Sequence, residues 1–212
     1  TNQVYAIDLI GFGKSVKPVP GDPIDYTFET WGQLVVDFCR DLIGEPVFLV
    51  GNSIGCVVAL QAAVMAPEQV RAIAMLDCSL RLLHDRKRST LPWYRGAPTP
   101  IFQALLGIRP LGYFFFSRLA RPNFIRNVLK QAYGREEAVT DELVDLLIAP
   151  SRDEGAADVF LAFVRYSQGP LAEDLLPQLK CPVLVIWGDA DPWEPVELGR
   201  AYADYPAVED FI

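Results

Sequence analysis

The stretch that decides the fold is V-F-L-V-G-N-S-I-G-C-V-V-A-L, residues 47–60. Its first four residues form the continuous apolar run that is typical of a strand buried on both faces. Its last residues begin an apolar helix, which we expect to end before Pro67. The turn between them reads G-x-S-x-G, and a serine in a sharp turn from a buried strand to a buried helix predicts a nucleophile at Ser53.

The same turn predicts the surroundings of that hydroxyl. The N-terminus of a helix presents unpaired N–H groups and a dipole that favour developing negative charge, so the Ile54 N–H is expected to form half of an oxyanion hole. Asn52 is predicted to contact the substrate. Close packing of strand and helix is expected to require tiny residues on both sides of the serine. The alternative interpretation is that Ser53 only caps the helix.

Apolar runs and helical spacing predict the neighbouring elements. The predicted strands are residues 3–8, 47–50, 70–76 and 183–187, and the predicted helices are residues 30–43, 54–65 and a segment after Pro195. Strands and helices that alternate with short links predict an α/β fold with a doubly wound, mostly parallel sheet covered on both faces.

The 212 residues are expected to form one core with an insertion. We predict a sheet-bearing core from residues 1–78 and 178–212, and a helical cap or lid from residues 79–177, which show no clear buried strand. Aromatic residues of this cap, among them Phe114, Phe115 and Phe116, form either its own core or a cavity for an apolar substrate.

Composition excludes several classes of protein. The formal net charge is −8 and no dense basic stripe is evident, so a nucleic-acid partner is not expected. The basic run at residues 86–88 is interpreted as a solvated face. The uncharged stretch between Glu45 and Glu68 is long enough to span a membrane, but the G-N-S turn divides it into a strand and a helix, so no transmembrane segment is predicted.

Cysteine and histidine content argues against a metal site. Cys39, Cys56, Cys78 and Cys181 form no CxxC pair and are expected to be buried, reduced thiols, which favours a reducing compartment. With a single histidine in the chain, neither a metal nor another cofactor is predicted.

In a catalytic triad a serine nucleophile also needs a base, which takes its proton, and an acid, which orients the base. Asp191, in the G-D-A-D-P loop after the strand at residues 183–187, is the predicted acid, with Asp77 at the end of the strand at residues 70–76 as the alternative. Either carboxylate could instead brace a turn. The single histidine, His84, lies in the predicted cap and is expected at its surface. In the order Ser, Asp, His the base follows Asp191, and no histidine does. The base is therefore expected outside these residues, or the protein is inactive.

These motifs resemble the α/β-hydrolases. D-L-I-G-F-G-K-S, residues 8–15, is similar to the loop D-x-x-G-x-G-x-S of that family, residues 51–55 to its nucleophile elbow, and residues 188–192 to its acid loop. The resemblance implies a nucleophile at Ser53 and an acid at Asp191. Phe12, which is expected near the elbow, is predicted to form a wall of the substrate site. It also implies an H-G motif before residue 1 and a histidine beyond residue 212. We therefore expect the sequence to be a fragment that is inactive by itself.

Part of the sequence is similar to one branch of that family. The run W-G-D-A-D-P-W-E-P-V-E-L-G-R, residues 187–200, resembles the pheophytinase-like enzymes of plants and cyanobacteria. This implies a serine hydrolase that cleaves a hydrophobic ester, such as a phytyl ester derived from chlorophyll, in the cytoplasm or the plastid stroma. The alternatives are a carbon–carbon bond hydrolase or cofactor-free perhydrolase of the same fold, and a non-catalytic ligand receptor. The oligomeric state stays open.

Overall fold

The computed structural model describes residues 3–21, 23–87 and 98–212. The chain divides into two compact units. Unit 1 is drawn from Thr1–Tyr26 and Ala97–Tyr166, and unit 2 from Thr27–Gly96 and Ser167–Ile212. The predicted boundaries of core and cap remain a prediction.

Unit 2 contains a parallel sheet of four strands. The strands are β1 (Val47–Asn52), β2 (Val70–Leu76), β3 (Val183–Ile186) and β4 (Val208–Phe211), and they lie side by side in that order. The predicted α/β fold with a parallel sheet is confirmed. Strand β4 was not predicted, because V-E-D-F contains two acidic residues and only its ends are partly buried.

Two long helices of unit 2 pack on one face of the sheet. They are α1 (Phe28–Phe38), continued by a π-helical turn at Cys39–Ile43, and α2 (Ile54–Met65). Thr27 caps α1, since its hydroxyl oxygen accepts a hydrogen bond of 3.2 Å from the Thr30 N–H. Leu49 of β1 packs against a buried cluster of Val36, Ala62 and Ala66 from this face. The helices predicted at residues 30–43 and 54–65 are therefore confirmed.

The opposite face of β1 carries exposed apolar side chains. Side chains alternate along a strand, so Phe48 and Val50 point away from Leu49. Phe48 is 68% exposed and Val50 is 69% exposed. In the described part of the chain, one face of this strand is thus covered and the other faces solvent.

The described residues of unit 1 form helices and no strand. The helices are α3 (Pro98–Leu106), α4 (Arg109–Leu119), α5 (Pro122–Ala132), α6 (Asp141–Ile148) and α7 (Ala156–Arg165). Phe115 and Phe116 are half-buried, and their rings lie 5.3 Å from those of Phe102 and Phe160, respectively. Phe114 is 62% exposed, so neither a cap core nor a closed cavity contains it here. Two short helices of unit 2, α8 (Ala172–Leu175) and α9 (Val196–Gly199), complete the order.

The strand predicted at residues 3–8 is wrong. These residues form no strand, and Val4 is 87% exposed. An extended segment becomes a strand only when its backbone pairs with a neighbour, and no strand of the described chain pairs with this segment. An apolar pattern by itself therefore does not make this segment a strand.

The basic run is not simply a solvated face. Arg86 forms an ion pair with Asp174, while Lys87 is mostly buried and contacts Glu173 and the Leu80 carbonyl. Arg88, the third member of the run, lies outside the described residues. These contacts join the segment that follows β2 to α8.

All four cysteines are buried and free, as predicted. Among the helices described, none has the length and apolar character needed to cross a membrane.

Candidate active site

The predicted nucleophile lies in a strained turn. Ser53 joins β1 to α2 with φ 53° and ψ −120°, a conformation that costs a residue with a side chain about 1–3 kcal/mol. A Cβ atom at Gly51 would lie 2.5 Å from the carbonyl of Gly55, so strand and helix approach closely there. A Cβ atom at Gly55 would meet nothing within 4 Å. The crowding argument therefore holds for Gly51 and is wrong for Gly55.

Backbone hydrogen bonds hold this turn, and the Ser53 hydroxyl takes no part in them. The Ser53 N–H donates to the Leu76 carbonyl at 3.0 Å, and the Ser53 carbonyl accepts from Cys56 and Ser79 at 3.1 and 3.2 Å. The hydroxyl makes no capping hydrogen bond to α2, which argues against the capping interpretation. The residue is half-buried.

The residues beside Ser53 have distinct roles. Ile54 is the first residue of α2, where an N–H has no intrahelical acceptor, so this N–H suits an oxyanion. Asn52 is exposed, and its side-chain amide donates to the Leu76 carbonyl at 3.2 Å. Its contact with substrate remains a prediction.

The register of the sheet brings three chain segments to one edge. Asn52 pairs with Leu76, and Leu76 pairs with Ile186. Because the strands are parallel, Ser53, Asp77 and the loop after β3 all follow at their carboxyl ends.

Asp77 braces the turn after β3. It has φ 43°, and its Oδ1 accepts a hydrogen bond of 2.7 Å from the Gly188 N–H. Its own N–H donates to the Ile186 carbonyl at 3.0 Å. One oxygen of this carboxylate is thus committed to the backbone of the neighbouring loop.

Asp191 organises its own loop. Its Oδ1 accepts hydrogen bonds from the N–H groups of Trp193 and Glu194 at 2.7 and 3.0 Å. Among the described residues no group donates a hydrogen bond to Oδ2. The Oδ1 atom is therefore fixed in position, and Oδ2 could accept a hydrogen bond from a base. The role of Asp191 as triad acid remains a prediction.

Sequence reasoning missed a half-buried acid, Glu194, that joins these loops. Its Oε1 accepts from the Ser79 hydroxyl at 3.0 Å and its Oε2 from the Leu80 N–H at 3.1 Å. The Trp187 indole N–H donates to its carbonyl at 2.8 Å. Burial raises the pKa of Glu194, while these hydrogen bonds oppose the rise. A charged residue gives no hydropathy signal for burial, so only the structure reveals this link.

The expectation that His84 lies at the surface is wrong. His84 is 4% exposed, and its Nδ1 accepts from the Arg86 N–H at 3.1 Å. The ring proton must then sit on Nε2, which lies 3.0 Å from the Gly169 carbonyl and donates to it. Burial lowers the pKa of this imidazole. With both ring nitrogens bonded to backbone groups, His84 is a structural residue and not a base for Ser53.

Phe12 belongs to unit 1, where its ring packs edge-on against Phe163 at 5.9 Å. Its loop is fixed locally, because Asp8 accepts from the Lys14 N–H at 2.9 Å and Gly13 leaves no room for a Cβ beside that carboxyl. The Lys17 ammonium also pairs with Asp153 at 2.8 Å. The predicted role of Phe12 as a wall of the substrate site stays a prediction.

Residues 3–21, 23–87 and 98–212 contain no group of three or more His, Cys, Asp or Glu side chains placed to bind a metal ion. The candidate site comprises a serine at a strand-to-helix turn and carboxylates in the segments that follow the next two strands. This arrangement defines an α/β protein with a hydrolase-like elbow at the carboxyl edge of a parallel sheet.

Comparison with known proteins agrees with that class. The model of the Alpha/beta hydrolase family matches residues 2–211, and the chain belongs to this family. It is 29% identical over 205 residues to the uncharacterized hydrolase YugF of Bacillus subtilis (strain 168), with 96% of this chain and 68% of that protein covered.

Two further comparisons extend the range of relatives. The chain is 25% identical over 189 residues to the chloroplastic pheophytinase of Arabidopsis thaliana, which covers 86% of this chain and 39% of that protein. A probable hydrolytic enzyme from Pseudomonas aeruginosa PAO1 shares the fold, with a TM-score of 0.68 and 20% identity over 97% of this chain and 66% of that one. The chain thus spans about two thirds, or less, of the length of these proteins.

Proposed function

We propose that the protein is a serine hydrolase that cleaves a hydrophobic carboxylic ester through an acyl-enzyme. The observation that carries this proposal is the backbone of Ser53, whose positive φ holds the hydroxyl at the start of α2 without a capping hydrogen bond. A strained conformation of this kind is retained where the surrounding structure imposes it, and functional sites are where such strain is concentrated.

In the proposed reaction the Ser53 oxygen attacks the carbonyl carbon of the ester while a base removes its proton. The carbonyl oxygen becomes an oxyanion that accepts a hydrogen bond from the Ile54 N–H. The alcohol leaves with the proton from the base, and water then attacks the acyl-serine to release the acid and restore the hydroxyl. Asp191 orients the base and stabilises its positive form.

The base is a histidine that lies outside these 212 residues. The sequence contains one histidine, and both of its ring nitrogens are bonded to backbone groups. The second N–H of the oxyanion hole is proposed to come from outside as well. The pheophytinase relative supports a long isoprenoid ester, such as a phytyl ester, as the substrate class to test first.

The test is labelling of the full-length protein with a fluorophosphonate, which reacts with activated serines. Ser53→Ala should abolish both labelling and ester turnover, because no other serine in residues 3–21, 23–87 and 98–212 has a positive φ. Ser117→Ala is the matched control, since Ser117 is exposed and its hydroxyl only donates to the Phe114 carbonyl. Label that persists on the Ser53→Ala protein would remove Ser53 from this role.

A further inference from the structure

Positive charge is concentrated in one quarter of the sequence. Between Arg86 and Arg135 there are ten Lys or Arg residues and no Asp or Glu. The rest of the chain holds the other nine basic residues and all 27 acidic ones. The described part of this quarter includes α3, α4 and α5 of unit 1, so a protein of net charge −8 carries one strongly basic segment.

The same segment exposes a row of large apolar side chains. We call it the apolar stripe; its members are Ile101, Leu105, Ile108, Leu111 and Phe114, which are 67%, 45%, 51%, 47% and 62% exposed. They recur every three or four residues. Hydrogen bonds from the Ile108 N–H to the Leu105 carbonyl, 3.0 Å, and from the Leu111 N–H to the Ile108 carbonyl, 2.9 Å, fold the link between α3 and α4 tightly. A spacing of three or four residues places Ile101 and Leu105 on one face of α3, and Leu111 and Phe114 on one face of α4. A large exposed apolar surface marks an interaction site.

Two arginines at the end of α4 and directly after it are uncompensated. The guanidinium of Arg118 lies over the Phe114 ring, 5.4 Å from its centre, and Arg121 donates to the Ser117 carbonyl at 3.2 Å. Within the described ranges neither arginine forms an ion pair. By contrast, the basic residues of α5, Arg126 and Lys130, are paired with Asp141 and Glu136.

We propose that the apolar stripe, with Arg118 and Arg121, is a docking surface for a membrane that contains anionic lipid. Exposed aliphatic and aromatic side chains enter the boundary between headgroups and acyl chains, and arginines at their margin bind lipid phosphates. The remaining chain is strongly acidic and is repelled by such a surface, so this basic segment is the part of the sequence that an anionic membrane attracts.

Other occupants fit the surface less well. A nucleic acid would bind the arginines but would leave five exposed apolar side chains without a partner. A symmetric second copy would bring the same unpaired arginines near each other, which is unfavourable. A bilayer satisfies both the apolar and the charged part of the surface.

The test is flotation of the full-length protein with vesicles. Vesicles of phosphatidylcholine with about 30% phosphatidylglycerol should retain the protein, vesicles of phosphatidylcholine alone should retain at least about tenfold less, and high salt should release it. Phe114→Asp should lower retention about tenfold, because it places a charge in the apolar stripe. The double variant Arg118→Gln, Arg121→Gln should do the same on the anionic vesicles while leaving the apolar side chains intact.

Leu146→Asp is the matched control. Leu146 is 64% exposed, close to the value for Phe114, but it lies on α6, whose first turn carries Asp141 and Glu142. This variant should float like the wild type, and far-UV circular dichroism should show that all variants are folded. The proposal is overturned if the wild type binds neither kind of vesicle, or if Phe114→Asp and Leu146→Asp bind equally. A lipid-independent dimer that Phe114→Asp dissociates would assign the surface to a second copy and overturn it as well.

Discussion

At the scale of the residue, Asp77 and Asp191 follow neighbouring strands at one edge of the sheet. Asp77 accepts a hydrogen bond from the Gly188 N–H, whereas Asp191 accepts from the Trp193 and Glu194 N–H groups. We expect Asp191→Asn to lower the kcat of the full-length protein by about three to four orders of magnitude, since an amide keeps the hydrogen bonds from Trp193 and Glu194 but loses the charge that stabilises the base. Asp77→Asn should cost less than about tenfold, because its amide oxygen still accepts from the Gly188 N–H.

The measurement is ester turnover by both variants, with circular dichroism as the check on folding. A larger loss from Asp77→Asn would show that the acid is on the other strand. Neither substitution changes a residue of the turn at Ser53, so the comparison tests the acid alone.

His84 should make stability depend on pH. Burial lowers the pKa of its imidazole in the folded chain below the usual 6.5, so the unfolded chain binds more protons as the pH falls through that value. The free energy of unfolding should therefore decrease below about pH 6.5. Urea unfolding at several pH values should show a steeper decrease for the wild type than for His84→Ala. Equal slopes in the two proteins would mean that His84 does not titrate differently on folding.

The sequence predicted residues whose role depends on local backbone shape, and it missed those whose role depends on distant partners. The position of Ser53 in a tight turn follows from five consecutive residues, and the structure reproduces that turn with positive φ. Glu194 acts on Ser79 and Leu80, which are more than a hundred positions away along the chain. His84 was expected at the surface because its neighbours are charged, yet those neighbours are bonded to residues 167–174.

At the scale of the element, Glu194 links two loops through part-buried hydrogen bonds. Ser79 donates its N–H to the Ser53 carbonyl and its hydroxyl to Glu194, so the loop after β2 is tied both to the elbow and to the acid loop. Glu194→Ala leaves the Leu80 N–H without its acceptor and should lower the free energy of unfolding by about 1–3 kcal/mol. Glu194→Gln should cost less, because its amide oxygen can accept that hydrogen bond.

Glu197→Ala is the control for this prediction, as Glu197 is an exposed residue of α9. Chemical denaturation of the three variants gives the comparison. Equal destabilisation by Glu194→Ala and Glu197→Ala would show that the hydrogen bonds of Glu194 with Ser79 and Leu80 contribute nothing to stability.

Elements that bury continuous apolar runs were predictable, and elements that depend on pairing were not. Helix α2 and strand β2 have the predicted bounds, because almost all of their residues are apolar and each is followed within two residues by a residue that ends the pattern, Pro67 or Asp77. The segment at residues 3–8 has the same apolar character, yet it finds no strand to pair with among the described residues. Strand β4 is the opposite case, since a polar sequence is ordered as a strand by its parallel partner β3.

At the scale of the whole molecule, the net charge and the fold class do not show which surfaces can bind a partner. The net charge of −8 was interpreted as an argument against a nucleic-acid partner, but this charge is the sum of a basic quarter and an acidic remainder. In the same way, a parallel sheet was expected to be covered on both faces, while Phe48 and Val50 of β1 are exposed in the described chain. The grouping of the charges is present in the sequence itself, whereas the exposure of Phe48 and Val50 had to be seen in the structure.

The last prediction concerns the 212 residues as a separate polypeptide. We expect this polypeptide, even when circular dichroism shows it to be folded, to give no turnover of p-nitrophenyl esters above that of its Ser53→Ala variant. The reason is that a serine hydroxyl needs a base to take its proton, and the only imidazole in the sequence donates to Gly169 and accepts from Arg86. The full-length protein should turn the same esters over. Ser53-dependent turnover by the 212 residues would show that they contain the base, and would require either release of His84 from its hydrogen bonds or a different proton acceptor.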